Sequence, residues 1–332
     1  MKRCLKFTAI ITALFLLFSA LPVFAGAQTE NTNGYYTYVV SDGIAVIIDV
    51  DTSISGDIVI PATLGGYTVG IIGFESFRDC LNITGVTIPN GVTEIYESAF
   101  SCTGIAYINI PKSVIEIRDF VFDNCTRLEN ITVDEKNPNY SSLGGVLFNK
   151  DKTELVRYPI GNKAHAYTIP NSVTKIGNTA FSGGSNLFGV TIPNSVTAIG
   201  PWVFSGCTGI TSIKIPNSVT KIGNSAFSGC SNLTNITLPD SIESLEDYLF
   251  YDCTGIESII VPDSVKYIKS SVFDGCSNLE SITLPKSLTS VGRAAFLDCT
   301  SIKTYGTRAI KQIKKLFIWT ITTHAYLLNG II

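Results

Sequence analysis

Apolar positions along most of the chain follow a 23-residue rhythm. One copy, Pro216 to Leu238, reads P-N-S-V-T-K-I-G-N-S-A-F-S-G-C-S-N-L-T-N-I-T-L. The two-residue step from Ile236 to Leu238 predicts a short strand with both side chains inward and Asn235 and Thr237 outward. Pro239 has no amide hydrogen and ends that strand. Val219 to Gly223 predicts a second short strand, and Ala226-Phe227 a third side whose ring fills the core. Proline recurs at Pro170, Pro193, Pro216, Pro239, Pro262 and Pro285. Phenylalanine recurs at Phe181, Phe204, Phe227, Phe250, Phe273 and Phe296, and cysteine at Cys207, Cys230, Cys253, Cys276 and Cys299. Such a period predicts a β-rich solenoid, with right-handed coils stacked about 4.8 Å apart through parallel strands and short turns.

The rhythm also marks the ends and the interruptions. Tyr35 to Val40 and Ile44 to Val50 flank Ser41-Asp42-Gly43, a hairpin signal that predicts a β-hairpin cap on the first coil. Gln28 to Gly34 reads as a flexible leader. Ile58 to Pro61 reads as the first repeat strand and Ala62 to Val69 as a looser connection. Phe77 and Cys80 open the regular pattern; Pro89, Phe100 and Cys102 continue it one residue short, and Pro111, Phe122 and Cys125 at full length. Pro111 and Pro170 are then 59 residues apart, where two units would give 46. The excess falls around Asp134 to Ala166, which predicts a charged hairpin: Val146 to Phe148, a turn at Asn149 to Thr153, and Leu155 to Tyr158. Ala309 to Trp319 places Ile310, Ile313 and Phe317 on one helical face and reads as a C-terminal cap or tail.

The first residues change the cellular context. Lys2, Arg3 and Lys6 precede an apolar run, Phe7 to Phe18, and Val23-Phe24-Ala25 resembles a small-residue cleavage site, the pattern of a secretory signal peptide. The run is short for a membrane span, so none is expected after cleavage. The expected divisions are 1–25 signal peptide, 26–57 leader and hairpin cap, 58–133 repeats, 134–166 insert, 167–304 repeats and 305–332 atypical tail. The expected location is secreted or cell-surface. With 15% charged residues and a net charge of -3, the surface offers no pull toward nucleic acid.

The unit I-P-x-S-V-T-x-I-G-x-x-A-F-x-x-C-x-x-L-x-x-I, matched from Ile215-Pro216 through Ile236, resembles the BspA-like leucine-rich repeat proteins. The L-x-x-L-x-L spacing of Leu233, Ile236 and Leu238 fits such a repeat. Gly145 to Lys150 and Tyr158-Pro159 also resemble an insert seen in that family. The resemblance covers roughly Ile58 to Cys299. It implies an exported or surface-displayed bacterial protein linked to adhesion and host contact, and it carries over no catalytic residue. Gly184, standing where Cys is expected, departs from the pattern.

Candidate chemistry is sparse. Eight of the nine cysteines follow the signal segment. Disulfides are one reading in an exported chain; a ladder of reduced, inward-facing thiols is the other, and it accounts for Gly184. No C-x-x-C pair or His cluster points to zinc, and no cofactor is expected. His165 and His324 lack the partners a catalytic pair needs, so no enzyme is expected. The outward strand face is small and polar except at a few positions: Tyr107, Lys214 and Ile260, with Asn109 beside Tyr107. These and the insert residues Lys150, Asp151, Lys152 and Tyr158 form the candidate binding surface. Phe148 and Tyr158 carry a second reading, as rings packed inward to keep the stack continuous. The expected partner is a protein or glycan on a host or neighbouring cell. A structural spacer without its own ligand, or a secreted enzyme, are the alternatives, the last disfavoured.

Overall fold

The computed structural model describes residues 29–307. The signal segment and the tail with His324 lie outside the described residues. What is described is a β-solenoid of parallel strands with no helix among the described residues. Each regular coil contributes a strand such as Asn235–Thr237, with its middle residue buried and its ends exposed. A two-residue strand such as Lys221–Ile222 follows on the second side. Partners in the ladders lie one period apart, for example Lys214 beside Thr237 and Ile199 beside Ile222.

The first end is closed by a hairpin, Tyr36–Ser41 with Ile44–Val50, antiparallel as expected. Asp42 and Gly43 take positive φ of 50° and 79°, the geometry that a two-residue hairpin turn demands. Two expectations change here. The supposed leader supplies a strand, Asn31–Asn33, on the hairpin edge. The supposed loose connection contains a small hairpin, Thr63–Leu64 with Tyr67–Ile72. At the far end Thr304–Thr307 pairs with Ser281–Leu284, so the strand face runs on past position 304.

The third side holds the rings. Phe181, Phe204, Phe227, Phe250, Phe273 and Phe296 stack with centroids 5.2–5.7 Å apart. Each ring sits between two residues of positive φ, as Phe227 does between Ser225 at 54° and Gly229 at 72°. The second of these positions carries Gly, Asp or Asn in nearly every coil, the residues that tolerate that conformation best.

No disulfide joins the cysteines among the described residues, and those of the regular coils form a ladder. Cys207, Cys230, Cys253, Cys276 and Cys299 each donate to the carbonyl of the preceding coil's Phe, at 2.9–3.1 Å. A buried carbonyl thereby uses its second lone pair. Cys102 is the exception. The missing residue in its coil shifts it to the positive-φ position at 57°, and Thr103 takes its place on the ladder, 3.3 Å from the Cys125 thiol.

The insert is a three-stranded meander, Tyr140–Leu143, Val146–Asn149 and Glu154–Arg157, rather than one hairpin. Its last strand joins Lys175–Ile176 and restarts the second-side ladder. It also partitions the core. Leu147 packs with the cluster running from Tyr36 to Ile131, whereas Val146 and Phe148 pack with the cluster from Leu155 to Phe296.

Candidate functional site

The strand face is built by the alternation within each strand: the residue that points inward holds the core, and its neighbours are left in water. Tyr107 and Asn109 sit on one strand of the first half. The Tyr107 ring covers Gly85, leaving no room there for a Cβ, and its hydroxyl donates to Asp57. That hydrogen bond is the first cause of its raised pKa. Asn109 donates to Thr132 Oγ1 at 2.9 Å.

Lys214 and Ile260 lie on the second half of the same face. Two coils separate them, yet both line one open groove of about 690 Å³ that runs across Asn235, Thr237 and Ser258. Their places in the repeat are filled by threonine in the coils between and around them, at Thr191, Thr237 and Thr283. Ile260 is 72% exposed.

The insert residues divide differently. Tyr158 is only 2% exposed and belongs to the core, so it leaves the candidate surface. It stacks on Phe181 at 5.3 Å and occupies the ring position of its coil, because the stack needs a ring there to stay continuous. Phe148 is likewise fully buried. Lys150, Asp151 and Lys152 form the turn before Glu154–Arg157, beside the second-side strand that starts at Lys175 and away from the strand face. Lys150 Nζ is already engaged by the carbonyls of Glu135 and Asn137 at 2.9 and 2.5 Å. The residues named from the sequence thus fall in four places, and the structure brings together only Tyr107 with Asn109, and Lys214 with Ile260.

The chain matches the sequence profile described as "BspA type Leucine rich repeat region" in six copies over residues 57–167, 159–250 and 203–318. It belongs to the BspA-type leucine-rich repeat family. A solved leucine-rich repeat protein from Bacteroides ovatus is 30% identical, covering 86% of this chain and 71% of that one, with a TM-score of 0.54. One from Eubacterium ventriosum is 25% identical, covering 86% and 98%, with a TM-score of 0.61. A leucine rich cell surface protein from Faecalibacterium prausnitzii, 22% identical over 88% and 98% with a TM-score of 0.54, shares the fold. No curated protein matches.

One functional-looking residue of this BspA-type chain escaped the sequence reading. Arg157, 3% exposed, is a buried charge. Its Nη1 donates to Thr179 O at 2.5 Å, and its Nη2 to Phe122 O at 2.8 Å and Ser182 O at 3.3 Å. It therefore holds the coil before the insert to the coil after it. Asp123 sits beside this staple, accepting from Ser182 Oγ at 3.2 Å. Burial pushes the Asp123 carboxyl up, and Arg157 acts against that shift. Asn178 reaches across the same junction to Asp119 at 3.0 Å, and Phe120 meets Trp202 edge-on at 5.5 Å. These are ties between stacks rather than a reaction centre.

Reactive chemistry has little to start from. Burial pushes the Cys125 thiol up to about 11 and those of Cys80 and Cys299 up to about 12, so all three stay protonated and poorly nucleophilic near neutrality. His165 is exposed, stacks on Phe188 at 5.0 Å and lies 3.2 Å from the Asn186 carbonyl. Among the described residues no group of three His, Cys, Asp or Glu could hold a metal ion, and no helix is long and apolar enough to cross a membrane.

Proposed function

We propose that this chain is an exported, non-enzymatic contact protein that meets a protein or glycan on a host or neighbouring cell through its strand face. The observation that carries the reading is the groove between Lys214 and Ile260. It sets a cation and an exposed apolar group on a sheet whose outward residues between them, Asn235, Thr237 and Ser258, are small and polar. Repeat proteins bind through such extended sheet faces. Export is supported by the pattern of residues 1–25, a basic start, an apolar run and a small-residue site. Burial keeps the Cys80, Cys125 and Cys299 thiols protonated, which suits packing within a contact scaffold.

The test is binding of the purified chain to immobilised extracellular matrix proteins and to a glycan array. A triple variant, Tyr107→Ser, Lys214→Thr and Ile260→Thr, should weaken the interaction at least tenfold while its thermal unfolding stays unchanged. Undiminished binding by the variant would move the contact off this face. Absence of any binding by the parent chain would favour the spacer reading.

A further inference from the structure

The groove has a chemistry of its own, and it narrows the partner. Lys266, Lys269 and Lys303 each sit on a glutamate 23 residues earlier, in the coil below. Lys214 has no such neighbour: the same column carries Thr191 in the coil below and Thr237 in the coil above, its ladder partner. Its charge is left to whatever enters the groove. Between Lys214 and Ile260 lies a shelf of Asn235, Thr237 and Ser258. Asparagine amides and hydroxyls both donate and accept, which is what a peptide backbone requires of its partner. No aromatic side chain lines the groove. Sugar rings are commonly held by stacking their C–H faces on aromatic rings, and that platform is missing. The groove also opens on a seam. Strand Asn235–Thr237 is laddered to Ser212–Lys214, and Ser258–Ile260 to Ser281–Leu284, but the two pairs belong to separate sheets.

Resting on the contact function proposed above, we infer that this groove holds an extended acidic segment of a partner protein, laid across the strands along the solenoid axis. Its carboxylate sits on Lys214 and an apolar side chain covers Ile260. The spacing agrees. Two coils separate the anchors, about 10 Å at the strand spacing, and three residues of a polyproline II-like extended chain span about 9 Å and bring both side chains to one face. Asp240 also lines the groove and repels a second carboxylate, so the segment carries one acidic residue rather than a run of them.

The probe is a displayed library of random twelve-residue peptides, selected on the full-length chain. Enriched sequences should carry Asp or Glu three positions from Leu, Ile, Val or Phe. A synthetic peptide of that pattern should lose at least tenfold in affinity for Lys214→Glu and about threefold for Ile260→Thr. Replacing its acidic residue with Lys should abolish binding to the parent and restore it to Lys214→Glu. Both positions are exposed, so the unfolding temperature of each variant should match the parent. No enrichment, enrichment of basic peptides, or failure of the charge swap would each overturn the inference. Matrix-protein binding that survives Lys214→Glu with Ile260→Thr would overturn it too, while leaving the broader contact role standing. Loss of all binding by the parent would instead sink that role.

Discussion

Arg157 offers the sharpest test of how the two stacks are joined. Replacing it with Met keeps an apolar stem of similar reach and removes the guanidinium. Three carbonyls then lose a charged donor. Thr179 O retains the Ser182 amide at 2.9 Å, and Phe122 O a longer one from Cys125 at 3.4 Å. Each of these losses should therefore cost about 1 kcal/mol, and the Ser182 carbonyl about 1–3 kcal/mol. Relief of the buried charge offsets part of this. The net expectation for Arg157→Met is a destabilisation of about 2–4 kcal/mol. Arg157→Lys should recover little, because a single ammonium cannot reach three carbonyls as a planar fork does. The loss falls on the interface between cores rather than inside either one, so the unfolding profile should change as well as its midpoint. Hydrogen exchange under increasing urea should show residues 36–133 and 155–296 releasing at separate denaturant concentrations in Arg157→Met and together in the parent. A cost under 1 kcal/mol with the two halves still releasing together would refute the assignment of Arg157 as the staple.

Other outcomes follow from the packing. Phe227→Ala should cost about 3–5 kcal/mol in a denaturant titration, since a fully buried ring is removed from between two others, whereas exposed Lys221→Ala should cost under 1 kcal/mol. Alkylation without denaturant should label few of the eight described cysteines, and alkylation in denaturant without reductant should label all eight; cross-linked peptides in mass spectrometry would contradict the reduced ladder. The thiols also set an alkaline limit. The folded pKa values of Cys80, Cys125 and Cys299 are raised from 9 to about 11–12, so the stability these three contribute is complete below pH 9 and is lost as pH rises from there toward 12. Thermal unfolding should be level from pH 6 to 8.5 and then fall, and Cys125→Ala should soften that decline.

Much of the architecture was legible because the unit repeats: one correctly read coil places the inward strand residues, the rings and most of the thiols. Tyr158 was legible too, standing 23 residues before Phe181, and only its position inside a charged insert drew attention outward. Cys102 was harder. Deleting one residue from a turn leaves two ways to restore the rhythm, and the backbone settled it by giving the positive-φ site to Cys102. Arg157 occupies a position that is otherwise small or apolar, next to the ring, as Ala180, Val203 and Ala226 are. A charge there signals a buried network, but its three acceptors come from distant coils and no local spacing encodes them. The groove was half visible. Lys214 and Ile260 stood out as departures from threonine, but their convergence depends on the stacking of coils two periods apart.

The thiol-to-carbonyl ladder makes the solenoid indifferent to its own length. From Phe181 to Phe250 each coil presents a Phe carbonyl to the next and receives a thiol from it. A whole unit can therefore be added or removed without stranding a polar atom, because what it exposes above it satisfies below. The three-stranded insert has no such symmetry. Its two faces fit different cores, and Arg157 fits one pair of coils alone. The chain is thus modular on either side of a joint that is unique, free to vary in reach while the position of the joint stays fixed.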